Sequence, residues 1–180
     1  MSKSVYKYAA EAGLPVGLYL SLMSACFLLS LEAPFLPTLL LPLAIGFPFL
    51  LAWHMRRMGR SEPSYMRVSA LWLCGIYTVI FGTLICCLLS ALYLVAVDPG
   101  FLGRYVSEAL AAIESGPAAS QYADTAELIR KALDSKMVPT PTEFVSTMGW
   151  LTCFSGSVLS LVIAMILSAT SRRASADIWR

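Results

Sequence analysis

The residues that most often perform chemistry in proteins are few in this sequence and widely separated. Its single histidine, His54, stands beside Trp53 and directly before Met55-Arg56-Arg57. A histidine metal site or a Ser-His-Asp triad would need partners that one histidine cannot supply. We interpret His54 first as a residue of the membrane–water interface and second as a pH-sensitive group.

The cysteines are equally unpromising as reactive groups. All five lie within apolar stretches and none has C-x-x-C or Cys/His spacing, which favours small buried apolar side chains. They are Cys26, Cys74, Cys86, Cys87 and Cys153. Met23-Ser24-Ala25-Cys26 loosely resembles a lipoprotein cleavage box, but apolar sequence continues to Leu31. We therefore expect the first span to be retained, with acylation of Cys26 as the alternative, and we expect no metal, cofactor or catalytic residue.

The carboxylates nearest to the apolar stretches all lie at their ends. Glu11, Glu32, Asp98 and Glu143 occupy such positions, and no charged residue stands in the middle of a stretch. Because ionisable groups inside a membrane usually mark ion pathways, this pattern disfavours a carrier built from one chain. Asp98 and Glu143 are interpreted as helix caps rather than as a paired site.

The composition indicates the class of protein to which these residues belong. Of the 180 residues, 58% are hydrophobic and 13% charged, against about 25% charged in soluble domains. With a net charge of +2 and no run of basic residues, we expect no nucleic-acid partner. Four stretches reach the roughly 20 apolar residues that a spanning helix needs. We predict an all-α integral membrane protein forming one domain, with spans at 13–31, 35–53, 68–97 and 144–169 and an external helical insertion at 98–143.

Two spans have unusual features. The second contains Pro42, Gly46 and Pro48, and we expect one kinked helix because neighbouring helices can satisfy the freed carbonyls. An unwound, substrate-binding helix is the alternative. The third is too long for a hydrocarbon core of about 30 Å and must tilt or project beyond it.

Basic residues in the connections predict the orientation. With a cytoplasmic N-terminus, nine of the thirteen basic residues lie inside and four outside, which places both termini in the cytoplasm. The residues that act as topology anchors are Arg56, Arg57, Arg60, Arg67, Arg172 and Arg173. Specific binding of anionic lipid by the first four is the alternative interpretation.

The external insertion has its own helical signals. Asp98-Pro99-Gly100 predicts a turn, and apolar residues then recur at helical spacing from Leu102 to Ile113 and from Tyr122 to Leu133. Thr140-Pro141-Thr142-Glu143 predicts a capping box that begins the last helix. The Gly116–Gln121 turn between the two short helices is the expected contact point for another molecule.

Small residues recur at every fourth position along the spans. The stripes comprise Gly13, Gly17, Ser21 and Ala25 in the first span, Gly82, Cys86 and Ser90 in the third, and Gly156, Ser160, Ala164 and Ser168 in the fourth. Such stripes allow membrane helices to approach closely. Packing within the bundle is the first interpretation, and docking of a second protein or a second copy is the other.

Several of these features together resemble a known family. Tyr8 precedes Gly13, Phe101-x-x-x-Tyr105 follows the third span, and Thr140-x-x-Glu143 precedes a last span that ends in Arg172-Arg173. This arrangement is similar to a family of small four-span membrane proteins, common in Bacteroidota and catalogued as a domain of unknown function. Arg60-Ser61-Glu62-Pro63 stands where that family often has a Gly-rich connection. The resemblance implies an inner-membrane location and no catalytic residue.

The expected function is that of a non-enzymatic accessory or assembly protein of the inner membrane. Its expected partners are the lipid bilayer and a membrane protein or a second copy of itself. The alternative is a small transporter or channel subunit that acts as an oligomer, with a path lined by Tyr77, Thr78, Thr83 and Tyr93. A membrane enzyme acting on lipid-linked substrates ranks last.

Overall fold

The computed structural model describes residues 5–61, 66–116, 123–135 and 139–177, and these ranges contain helices and no strand. The helices are α1 (Val5–Leu28), α2 (Leu36–Ser61), α3 (Val68–Leu92), α4 (Phe101–Ser115), α5 (Ala123–Asp134) and α6 (Pro141–Asp177). In this part of the chain, four helices are long and apolar enough to cross a membrane, namely α1, α2, α3 with its extension to Val97, and α6. The predicted all-α membrane fold with four spans is confirmed.

The spanning helices run past the limits of their apolar stretches. α1 begins at Val5, ahead of the predicted start at residue 13, and α2 continues to Ser61, beyond the predicted end at residue 53. These extensions carry charged residues, among them Glu11 and Arg57. A helix does not have to end at the edge of its apolar stretch, because its intrahelical hydrogen bonds also satisfy the backbone in the headgroup region. Hydropathy therefore located the apolar cores of these helices rather than their ends.

Helix α2 passes through both of its prolines without a break. Pro42 and Pro48 lie inside one continuous helix from Leu36 to Ser61, as the sequence predicted for this span. Since proline has no N–H, Pro48 leaves the Ala44 carbonyl without its usual intrahelical donor.

The third span ends in a π-helical turn, which the sequence did not predict. Residues Tyr93–Val97 form this turn directly after α3, and the Asp98 N–H donates to the Tyr93 carbonyl at 3.0 Å. With the turn included, the helix runs from Val68 to Val97, 30 residues. At 1.5 Å per residue its length is about 45 Å, which exceeds a hydrocarbon core of about 30 Å.

The chain divides into two compact units. The first comprises Met1–Leu89 with Thr147–Arg180, and the second comprises Ser90–Ser146. The core of the first unit brings together side chains from α1, α2, α3 and α6, namely Ala9, Leu51, Met55, Met58, Leu71, Cys74, Val79, Ile163 and Ala164. In the second unit the buried apolar side chains include Phe101, Leu102, Leu110 and Ala126.

The start of α6 confirms the predicted capping box. The Thr140 N–H donates to Oε2 of Glu143 at 2.8 Å, and the Glu143 N–H donates to Oγ1 of Thr140 at 3.3 Å. These reciprocal bonds satisfy donors that a helix start otherwise leaves unpaired. Asp98, in contrast, does not cap α4, whose N-cap is Gly100; its carboxylate pairs with the Arg104 guanidinium.

Candidate functional site

Helices α1 and α3 contact each other through glycines. A Cβ added at Gly17 would lie 3.1 Å from the carbonyl oxygen of Gly82, and one at Gly82 would lie 3.1 Å from the backbone nitrogen of Gly17. A Cβ at Gly13 would lie 2.5 Å from Cβ of Phe81. The two backbones can be this close only because these positions carry no side chain.

The contact between α3 and α6 also depends on small residues. Gly75 faces Ser160, whose Oγ would lie 2.6 Å from a Cβ added at Gly75, and Gly156 faces Val79. The indole Nε1 of Trp72 also donates to the Ser157 carbonyl at 3.2 Å. α3 is therefore the helix against which both α1 and α6 pack by way of small residues.

The remaining stripe residues differ in burial. In α6, Ala164 and Ser168 are buried. In α1, Ser21 and Ala25 are half-buried, and the Ser21 hydroxyl donates to the Gly17 carbonyl of its own helix at 2.7 Å. Of the two uses that the sequence left open, packing inside the bundle is what the structure shows for Gly13, Gly17, Gly156 and Ser160.

Helices α1 and α2 meet through a hydrogen bond. The Tyr19 hydroxyl donates to the Leu43 carbonyl at 2.7 Å, and its ring lies 6.4 Å from that of Phe47. A Cβ added at Gly46 would lie 2.5 Å from the Tyr19 hydroxyl oxygen, so Gly46 makes room for this bond. The sequence analysis identified Gly46 but missed Tyr19, because hydrophobic periodicity within one helix does not show which residue of another helix, here 24 positions away, lies opposite.

A cavity of about 490 Å³ opens beside α1 and α2 and also touches α3 at Cys74. Its size lies within the range of about 300–1,000 Å³ that is usual for small-molecule sites. Charged and polar lining residues are Tyr8 and Glu11 on α1 and His54, Arg57 and Ser61 on α2. Sequence reasoning considered Glu11, His54 and Arg57 separately, and the fold brings them to one site.

His54, Trp53 and Arg57 form a small cluster at this cavity. The Trp53 ring meets the His54 ring edge-on, with centroids 4.8 Å apart, and the Arg57 guanidinium carbon lies 5.7 Å from the Trp53 centroid. Nε2 of His54 is shielded from solvent and has no hydrogen-bond partner among the described residues.

The predicted topology anchors lie along the end of α2 and beyond it. Arg56, Arg57 and Arg60 are exposed on the last turns of α2, and Arg67 is exposed just before α3. Arg172 and Arg173 belong to the last turns of α6, and their side chains lie outside the described part of the structure.

The polar residues proposed to line a path do not share one environment. Thr78 and Thr83 are buried within the first unit, at 1% and 5% exposure. Tyr77 packs against Tyr6 with ring centroids 4.8 Å apart, and Tyr93 lies in the π-helical turn of the second unit. Within the described residues, no group of three or more His, Cys, Asp or Glu side chains is placed to hold a metal ion.

In the second unit, α4 and α5 form a helical hairpin with a charged surface. Arg130 of α5 pairs with Glu114 of α4 at 2.7 Å, and Lys131 pairs with Glu127 at 2.7 Å. Leu128 is 67% exposed among these charges. The expected contact point at Gly116–Gln121 lies, except for Gly116, outside the described residues.

Comparison with known proteins places the chain in a family. No curated protein and no solved structure matches the chain. A family model does match, from residue 11 to residue 169, which includes all four apolar cores and the hairpin. This match confirms the resemblance to a family of unknown function that the sequence features indicated. The chain therefore belongs to the family described as Protein of unknown function (DUF4199).

Proposed function

We propose that the protein is a non-enzymatic accessory protein of a bacterial inner membrane, with both termini in the cytoplasm. Its bundle of spanning helices anchors it, and the hairpin of α4 and α5 contacts a partner protein. The observation that supports this role most directly is the folded hairpin itself. The chain forms a compact unit, Ser90–Ser146, from a segment whose two helices are not needed to cross the bilayer.

The surface of the hairpin has the properties of a contact site. Its helices are joined by the Arg130–Glu114 ion pair, and its apolar residues Phe101, Leu102 and Leu110 are buried. The surface thus keeps a defined shape, which lowers the entropic cost of binding. The exposed Leu128 is the apolar side chain that a partner would cover.

A transporter or channel subunit that works as an oligomer is the second candidate. Such a path needs polar side chains on the surface between copies. The burial of Thr78 and Thr83 inside one copy weighs against it, since a neighbouring copy cannot reach them. We therefore rank the accessory role first.

Copurification from native membranes with matched variants tests the accessory role. Leu128→Ala changes the hairpin, and Leu151→Ala makes the same substitution at a residue of α6 that is 59% exposed. We expect a partner in constant ratio to the wild-type protein and to Leu151→Ala, and a loss of about tenfold in its recovery with Leu128→Ala. Equal recovery with both variants would remove the hairpin from the proposal. Recovery of homo-oligomers alone would favour the transporter subunit.

Cysteine labelling of intact cells tests the orientation. In a background that lacks the five native cysteines, an impermeant reagent should modify Ser120→Cys and leave Ser61→Cys unmodified. This pattern follows from the nine-to-four distribution of basic residues. Modification of Ser61→Cys in sealed cells would reverse the assignment of both termini.

A further inference from the structure

The lining of the cavity beside α1 and α2 changes from apolar to polar along its length. α1 and α2 run antiparallel, so that Pro15 and Leu50 line one end of the cavity and Tyr8 and Ser61 line the other. From Leu50 to Ser61 the rise along α2 is about 16 Å. The cavity therefore leads from the apolar part of two spans to the level of their charged ends, where α2 carries Arg56, Arg57 and Arg60.

The polar end of the cavity contains both signs of charge. Glu11 of α1 and Arg57 of α2 line it together, and both are exposed. A carboxylate accepts hydrogen bonds from an ammonium group, and a guanidinium donates to phosphate oxygens in a forked geometry. Trp53 lies between the two environments, as tryptophan does at membrane interfaces, and its ring holds the Arg57 guanidinium at 5.7 Å.

We propose that this cavity binds the headgroup of a zwitterionic phospholipid with a primary ammonium group, such as phosphatidylethanolamine. Glu11 receives the ammonium group, Arg57 receives the phosphodiester, and the acyl chains continue along the apolar end at Pro15 and Leu50. An anionic lipid would satisfy Arg57 but would meet the Glu11 carboxylate. A soluble anion would leave the apolar end uncovered.

This assignment concerns a ligand of the bundle and does not depend on the hairpin as a partner surface. It also distinguishes Arg57 from the neighbouring arginines, which a role in topology alone does not. Arg56 is exposed one position earlier on α2 and does not line the cavity. Arg56→Gln is therefore a matched control for Arg57→Gln, and Glu32→Gln, four residues beyond the C-terminal end of α1, is the control for Glu11→Gln.

Native mass spectrometry of the full chain in mixed nanodiscs provides the test. With phosphatidylethanolamine and phosphatidylglycerol of identical acyl chains in equal amounts, we expect the wild type to retain the zwitterionic lipid preferentially. Loss of one charge-assisted hydrogen bond costs at least about tenfold in affinity. Glu11→Gln and Arg57→Gln should each lower retention of phosphatidylethanolamine by about that factor, whereas the two control variants should match the wild type.

A charge reversal and a soluble competitor complete the test. Glu11→Lys should invert the preference in favour of phosphatidylglycerol, a gain that misfolding cannot produce. Soluble phosphoethanolamine should fail to displace the lipid, because it lacks the chains that cover the apolar end. The proposal is overturned by equal retention of both lipids in the wild type, by Glu11→Lys without inversion, or by displacement by phosphoethanolamine, which would identify a soluble ligand instead.

Discussion

Helix α1 contacts α3 and α2 within its unit by different means. Toward α3 it presents Gly13 and Gly17, and the backbones approach until Gly17 and Gly82 are almost in contact. Toward α2 it presents Tyr19, which reaches across to donate a hydrogen bond to the Leu43 carbonyl. The first contact depends on the absence of side chains at the glycines, and the second includes a directional hydrogen bond from one side chain in addition to apolar packing.

This difference is matched by how far each helix is covered by protein. Of an apolar 18-residue stretch, 22% is buried in α3 and 6% in α2, the two helices that α1 contacts in these different ways. Close backbone packing therefore coincides with the more buried helix α3, whereas the directional hydrogen bond joins α1 to α2, a helix that the rest of the protein covers little. The following substitutions should separate the two mechanisms by the size of their effects.

The largest effect is expected for Gly82→Leu. The new Cβ would lie 2.9 Å from Cγ1 of Val16 and 3.1 Å from the backbone nitrogen of Gly17, so that α1 and α3 must separate. We expect a loss of about 3 kcal/mol or more in the free energy of unfolding, the upper range for overpacking. Gly103→Leu is the control, because a Cβ at Gly103 has no atom within 4 Å. Unfolding in mixed micelles should show this difference, and similar losses in both variants would contradict the close-contact mechanism.

A smaller effect is expected for Ser160→Leu, at the contact between α3 and α6. Ser160 is fully buried against Gly75, so a larger side chain forces the helices apart at one point. We expect a loss of about 2 kcal/mol, more than for Leu161→Ala at the next, half-buried position. Thermal unfolding in detergent should rank the two variants, and equal stability would show that the stripe does not hold this contact.

The hydrogen bond between α1 and α2 should contribute less still. Tyr19→Phe removes the bond to Leu43, and interhelical hydrogen bonds in membranes contribute about 0.6 kcal/mol on average. Gly46→Ala should break the same bond by placing a Cβ 2.5 Å from the hydroxyl oxygen. The double variant should therefore lose less than the sum of the single losses. Strict additivity in a double-mutant cycle would mean that Gly46 serves another purpose.

The smallest effect is expected for Ser21→Ala. Ser21 belongs to the stripe by spacing, yet it is half-buried and its hydroxyl bonds to the Gly17 carbonyl within the same helix. We expect a change within about 0.5 kcal/mol, as for positions without a critical contact. A loss as large as that of Ser160→Leu would show that Ser21 touches a partner that the isolated chain does not contain.

The sequence predicted those features whose cause is local. Hydropathy predicted four spans, and the Thr140 and Glu143 spacing predicted a capping box that the hydrogen bonds confirm. Spacing of small residues predicted which faces can pack closely. It could not predict which helix packs there, since Gly17 meets Gly82 across 65 residues of chain.

The cavity illustrates the same limit for the candidate site. Glu11 and Arg57 are 46 positions apart in the sequence. Taken separately, each is explained as a charged residue near the end of a span. Only the antiparallel pairing of α1 and α2 places them at one opening. The relevant quantity is the register between two helices, and single-sequence periodicity carries no information on register.

The π-helical turn at Tyr93–Val97 should allow the third span to lose one residue without a change in its packing. Its hydrogen bond from Asp98 to Tyr93 encloses one residue more than an α-helical turn does. Deleting one residue here would convert the turn to an ordinary one and leave the register of Leu71–Thr83 unchanged. A deletion between Gly75 and Gly82 would instead rotate Gly82 by about 100° relative to Gly75, so that the contacts of α3 with α1 and with α6 could not both form. A single-residue deletion in this span should therefore be tolerated at its C-terminal end and should disrupt the fold at its middle.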